Sequence, residues 1–171
     1  MKAFHFSPDV QDFLFLLSAH NVRYLIVGGE AVIYHGFARL TGDIDIFFEP
    51  TAKNVQHLYR ALDKFWRGSI PGLQSAQELL SPGVIIQFGV PPNRIDLMSS
   101  ITGVPFRDAW ASRSREKVMI KKRICPVFFI GLDQLIKNKE AIRRYKDLED
   151  LKYLKTAAKK KKQKASTKKE N

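Results

Sequence analysis

Three aspartates and a pair of glycines are the residues of this 171-residue chain whose types and placement suit chemistry. Asp43 and Asp45 stand in Gly-Asp-Ile-Asp-Ile-Phe-Phe, so on a strand both carboxylates project to one face, about 7 Å apart along the backbone, while Ile44 and Ile46 face a core. Asp96, in Arg-Ile-Asp-Leu-Met, repeats the pattern of an acid between two aliphatic residues and joins the same surface if the two strands are neighbours. Like charges that close repel, and a divalent cation with oxygen ligands offsets the repulsion, with Mg²⁺ or Mn²⁺ the hard ions suited to carboxylates. Two such ions about 4 Å apart activate an attacking oxygen on one side and hold a triphosphate on the other while pyrophosphate leaves. Gly28-Gly29 fits the same scheme. Without β-carbons the chain turns tightly and brings its amide N–H groups up to a phosphate, and the helix that follows adds its positive N-terminal end. Each feature alone has a plainer reading, a turn for the glycines and an exposed strand end for the acids. Their joint occurrence, with thirteen residues between Gly29 and Asp43, points to triphosphate chemistry.

The elements that position these residues are legible in outline. Ser7-Pro8-Asp9 offers a capping serine and a proline at the first helical position, and Val10, Phe13, Leu14 and Leu17 follow at helical spacing. Residues 24–27 predict a short strand ended by Gly28-Gly29, residues 30–35 a short helix before Gly36, and residues 44–48 a second strand. After Thr51, the stripe Val55, Leu58, Tyr59, Leu62 and Phe65 predicts an amphipathic helix. Residues 67–83, rich in Gly, Pro and Ser, predict a surface loop with a short helical piece over 76–80. Residues 84–90 and 94–98, joined by Pro91-Pro92-Asn93, predict an antiparallel hairpin, and residues 117–120 and 123–130 a second. Two closing helices follow, over 132–144 and 146–155. This order predicts an α/β fold, a mixed or antiparallel sheet flanked by helices, in one domain over residues 1–155.

Composition limits the classes of function. With 44% hydrophobic residues in 171, there is material for one compact core. No run reaches the roughly 18 apolar residues of a membrane span, and MKAFHFSPDV lacks the apolar stretch and cleavage site of a secretory leader, so a soluble, cytoplasmic protein with no membrane partner is expected. Cys125 is the only cysteine, which excludes an intrachain disulfide and a thiolate metal cluster, and its apolar setting predicts a buried, inert thiol. The formal charge is +12, about half of it in the Lys-rich tail over residues 156–171 together with Lys155. Such a run either stays solvated and disordered or tethers a polyanion in a salt-dependent way.

Taken together, these residues resemble the nucleotidyltransferase superfamily, the DNA polymerase β-like fold, whose pattern is Gly-Gly on a strand-helix turn, a hydrophobic-flanked Asp-x-Asp, and a third acid on a later strand. More narrowly, VGGEAVIYHGFARLTGDIDIFFEPTAKN is similar to the small AbiEii-like bacterial nucleotidyltransferases, matching at Gly28-Gly29, His35-Gly36 and Arg39-x-Thr41-x-Asp43-x-Asp45. Near the C-terminus, LIKNKEAIRRYKDLEDLKYL is similar to that group's closing helices at Lys139, Arg144, Lys146, Asp147 and Asp150-Leu151. The resemblance spans residues 22–155. One departure is Arg143, where the group often has Gly.

The resemblance implies transfer of an NMP from an NTP to an acceptor hydroxyl with release of pyrophosphate. Asp43, Asp45 and Asp96 would hold Mg²⁺ or Mn²⁺, with Asp96 also helping to deprotonate the acceptor, and Gly28-Gly29 would hold the triphosphate. Arg39 or Lys139 would neutralise phosphate charge in the transition state, Thr41 would touch a phosphate, and Asp147 would contribute to nucleotide binding. Plainer readings stand beside these: Arg39 as a surface ion-pair partner, Lys139 as a solvated helix residue, Thr41 and Asp147 as caps, His35 as the end of a helix. The acceptor implied is RNA, such as a tRNA 3′ end, or protein, in a toxin-antitoxin setting with a cognate partner. Alternatives are an aminoglycoside or lincosamide acceptor, or a catalytically silent antitoxin or RNA-binding module.

Overall fold

The computed structural model describes residue 4 and residues 6–167 of the chain. Its first helix, α1 (Pro8–Ala19), starts where the Ser7 hydroxyl accepts from the Val10 amide, and it buries Val10, Phe13, Leu14 and Leu17. Strand β1 (Tyr24–Val27) is buried throughout and runs straight into α2 (Gly28–Tyr34). Strand β2 (Asp43–Phe48) leads to α3 (Ala52–Phe65), which Thr51 caps. A 3₁₀ turn (Ala76–Leu80) precedes the hairpin β3 (Ile85–Phe88) and β4 (Arg94–Met98). Helix α4 (Phe106–Ala111), the hairpin β5 (Ser114–Ile120) and β6 (Arg123–Phe129), then α5 (Leu132–Ile142) and α6 (Tyr145–Thr167) complete the chain.

The six strands form one mixed sheet in the order β3-β4-β2-β1-β6-β5. The two hairpins and the β1/β2 pair are antiparallel, whereas β2 lies parallel to β4 and β1 parallel to β6. Alternation along the strands divides the apolar side chains between the two faces. Ile44, Ile46 and Phe48 pack with Phe13, Leu17 and Leu58 beneath α1 and α3. Phe47 packs with Val27, Val32, Phe106, Leu135 and Leu154 beneath α2, α4, α5 and α6. Asp43 and Asp45 share the parity of Phe47 and so emerge on the second face, at the N-terminal end of β2. At the opposite end, buried Asn54 donates to the carbonyls of Arg23 and Glu49 (both 2.9 Å) and accepts from the Arg23 amide (2.8 Å), which ties β1 to β2.

Three features differ from the sequence reading. Helix α4 was not anticipated, because its six residues are too few to display a period. Strand β5 begins at Ser114 rather than 117; its first residues, Ser-Arg-Glu, have little strand propensity, and full pairing with β6 extends it. The Lys-rich segment is helical as far as Thr167, continuous with α6, where disorder from residue 156 was expected. Lys168, Lys169 and Glu170 of that expected tail lie outside the described residues. Cys125 is buried, as its apolar run implied, and burial raises its thiol pKa. Among the described residues no helix is long and apolar enough to cross a membrane.

Candidate active site

The parallel pairing of β2 with β4 sets Asp43 opposite Arg94 and Asp45 opposite Asp96. One carboxylate oxygen from each of Asp43, Asp45 and Asp96 lies within 4.8 Å of the others. That spread is slightly wider than the roughly 4 Å across an Mg²⁺ octahedron, so a small contraction would close it on an ion. The donors are of the right kind. All are carboxylate oxygens, and Asp96 Oδ1 is buried with the Arg94 guanidinium as its ion-pair partner. The residues therefore fit a hard divalent cation.

Arg94, which belongs to none of the sequence motifs, enters the cluster. Its Nη2 donates to Asp43 Oδ2 (2.5 Å) and to Asp96 Oδ2 (3.0 Å), and its Nε lies 2.9 Å from Asp96 Oδ1 as an ion-pair contact. Gln87, opposite Asp96 on β3, donates to the same Asp96 Oδ2 at 3.1 Å. The signal for Arg94 was its position two residues before Asp96, which on a strand means the same face.

The glycines have a specific steric reason. Gly28 has φ +60°, and a β-carbon there would collide with the Asp45 carboxylate. A β-carbon on Gly29 would sit 2.6 Å from Thr41 Oγ1 and 3.2 Å from an Arg39 guanidinium nitrogen. The Gly-Gly turn thus lets the β1–α2 backbone close against the acids. Thr41 Oγ1 in turn donates to the Asp43 carbonyl (3.2 Å) or to Asp43 Oδ1 (3.1 Å), steadying the first acid. A cleft of about 410 Å³ opens beside Glu30, Thr41 and Asp43. A larger one, about 680 Å³, lies away from the acids between His35, Phe37 and α6. His35 itself donates from Nε2 to the Ile130 carbonyl at 2.8 Å, fixing α2 to the end of β6.

A family model described as "Nucleotidyltransferase of unknown function (DUF6036)" matches residues 9–159. The chain belongs to this nucleotidyltransferase family. No curated protein matches its sequence. Among solved structures, an antigenic nucleotidyltransferase-like protein from Paracoccidioides brasiliensis is 13% identical, with 86% of this chain and 74% of that one covered and a TM-score of 0.49, a likeness too low to add to the assignment.

Beside the acids, this nucleotidyltransferase-family chain buries a second set of charges that joins α5 to α6. Lys139, 2% exposed, contacts Asp147 Oδ1 at 2.6 Å and Asp150 Oδ2 at 3.0 Å. Arg39 Nε lies 3.0 Å from Asp150 Oδ1, which draws the loop before β2 onto α6. Asp147 also accepts from the Arg144 amide (3.1 Å) and Arg144 Nε (2.8 Å), half of a capping box at the start of α6. Burial pushes the Asp147 carboxyl up, but hydrogen bonds from Arg144 and Lys139 and their charges outweigh it, leaving its pKa below the usual value. Arg143 ends α5 in the left-handed region (φ 57°), the conformation glycine adopts most readily, which accounts for Gly in the resembling group. Lys139 and Asp147 are thus packed inside, and any influence they have on a substrate passes through their neighbours and their field.

That field reaches Asp45. Burial raises the Asp45 pKa to about 6, with the charges of Asp43 and Asp96 adding to the rise and those of Lys139 and Lys146 opposing it. Because the shift is upward, Asp45 favours the fold when protonated, and that contribution is lost as pH rises through about 6. Asp45→Asn removes the dependence. Urea unfolding from about pH 4 to pH 8 is expected to show the variant gaining on the wild type by up to about 3 kcal/mol. A difference independent of pH would contradict the shift. Lys139→Ala, which takes the buried cation from Asp147 and Asp150 and leaves them only Arg144 and Arg39, is expected to cost about 3–5 kcal/mol in the same measurement at neutral pH. A loss below about 1 kcal/mol would mean the cluster is not held as described.

Proposed function

We propose that this chain is a metal-dependent nucleotidyltransferase that transfers an NMP from an NTP to an acceptor hydroxyl, with RNA the acceptor. The observation that carries the chemistry is the convergence of Asp43, Asp45 and Asp96 on one cluster at the end of two parallel strands. These three would hold Mg²⁺ or Mn²⁺, which when bound screens phosphate charge and lowers the pKa of a coordinated hydroxyl. The acceptor oxygen attacks the α-phosphorus, the bond from that phosphorus to the β-bridging oxygen breaks, and pyrophosphate leaves. Asp96 takes the acceptor proton. The amides of Gly28 and Gly29 would hold the triphosphate, Thr41 holds Asp43 in place, and Arg39 lies beside the Gly29 turn with its charge shared with Asp150. Lys139 and Asp147 act as positioning residues that fix α6, and the charge of Lys139 lowers the cost of an ionised Asp45.

The RNA reading draws support from α6. Its first turn lies by the acids, close enough for Lys146 to influence Asp45, and from Asp147 to Lys164 the helix extends about 25 Å at 1.5 Å per residue. Lys152, Lys155, Lys159, Lys160, Lys161, Lys162 and Lys164 are all exposed along it. A cationic rod with one end at the site suits a phosphodiester backbone and not a small cationic drug. The AbiEii-like subtype, with a tRNA 3′ end as acceptor and a cognate partner that controls it, is the narrower form of this reading, and a cytoplasmic setting goes with it.

Transfer of label from each α-labelled NTP, with Mg²⁺ or Mn²⁺, into total RNA, total protein and a panel of aminoglycosides and lincosamides tests the proposal. Label is expected in RNA, reduced at least about a hundredfold by Asp43→Ala in a protein whose circular dichroism is unchanged. Label in protein or a drug instead would overturn the RNA acceptor. Label nowhere above the variant would overturn the enzyme reading in favour of a silent binding module.

A further inference from the structure

Arg94 does more than neutralise a neighbour. It rises from the same strand face as Asp96, opposite Asp43 across the parallel pair, and its guanidinium is wedged between their two carboxylates. Through Nη2 and Nε it engages one oxygen of Asp43 and both oxygens of Asp96. The remaining Asp43 oxygen, Oδ1, is within reach of the Thr41 hydroxyl at 3.1 Å. A divalent cation ligated by all three acids can use Asp43 Oδ1, but at Asp96 it needs an oxygen that Arg94 now contacts. A guanidinium left at about 3 Å from that oxygen would also stand next to a doubly positive ion with little solvent between them. The guanidinium and the ion therefore compete for Asp96 and repel each other across the cluster. Asp45 lies outside the arginine's grip, and among the described residues it has no ion-pair partner within 4 Å.

We infer that Arg94 is a built-in counter-ion of the acidic cluster, and that a divalent cation loads by displacing its guanidinium from Asp43 and Asp96. The inference rests on the reading of Asp43, Asp45 and Asp96 as the metal site. The side chain of Arg94 is 30% exposed, so it can swing towards solvent without movement of β4. In the metal-free protein Arg94 keeps two carboxylates together that would otherwise repel. The same contact lowers affinity for the ion, since every binding event must first break it. Metal loading is therefore an exchange of one cation for another, and the charge on residue 94 sets its affinity.

The test is Mn²⁺ binding by the full chain near pH 8, read from the loss of the free-ion electron paramagnetic resonance signal, for wild type, Arg94→Met and Arg94→Lys. Only binding that Asp45→Asn abolishes is counted. Arg94→Met, which keeps bulk but not charge, is expected to bind Mn²⁺ at least about tenfold more tightly than wild type, with Arg94→Lys in between because it keeps the charge without the fork. Affinity equal to or weaker than wild type in folded Arg94→Met overturns the exchange. If Arg94→Met does not fold, Arg94→Lys decides alone: tighter binding supports the exchange, and equal or weaker binding overturns it. Absence of Mn²⁺ binding in all the proteins would instead remove the metal site itself, a different result from unchanged affinity.

Discussion

The crowding of negative charge at the paired ends of β2 and β4 is the constraint on which the rest of this structure depends. Parallel register sets Asp45 directly beside Asp96, with Asp43 one pleat away, and like charges at cross-strand distance are destabilising. The protein tolerates them because their backbones are locked in a central strand pair whose other faces bury Ile44, Ile46, Ile95 and Leu97. The apolar side of each strand supplies stability, and its polar side is free to be costly. Arg94 offsets the charge on two of the acids, and the third is left with a pKa of about 6.

The surroundings follow from that arrangement. Gly28 has no side chain because the Asp45 carboxylate occupies the space one would fill. Thr41 is held against Asp43, and Arg39, two residues earlier, reaches across to Asp150 on α6. Lys139 then draws Asp147 and Asp150 together so that α6 starts beside the acids. A buried pair of this kind gives little net stability compared with an apolar replacement, but breaking one partner is costly, which makes the cluster better suited to fixing geometry than to holding the fold. Its net effect is to set positive potential behind Asp45 and to aim a lysine-covered helix away from it.

Much of this was legible in the sequence because strand alternation is a strict rule. Asp43-Ile44-Asp45-Ile46 and Ile95-Asp96-Leu97 declared their two faces, and the strand-helix order implied the mixed sheet that joins them. Arg94 carries the same alternation signal as Asp96 but was not assigned, since an arginine on a strand has no motif of its own and its partner Asp43 is 51 residues away. Lys139 stands on the inner face of its helix, four residues after buried Leu135, but a lysine there reads as easily as a side chain reaching to solvent. It lies on a helix whose neighbours at Lys137 and Glu140 are exposed, and only its meeting with Asp147 and Asp150 from the next helix accounts for a charge inside. The helical state of residues 156–167 was hidden for the opposite reason. Repulsion among successive lysines argues for disorder locally, whereas continuation from an anchored α6 supplies the nucleus that an isolated helix lacks.

Anomalous diffraction from crystals grown with Mn²⁺ and a non-hydrolysable NTP analogue would show whether the three acids form one divalent-cation site. A manganese peak bounded by carboxylate oxygens of Asp43, Asp45 and Asp96 is expected, with the guanidinium of Arg94 moved off Asp43. A bound analogue with no manganese at these residues, and Arg94 still seated between Asp43 and Asp96, would contradict such a site.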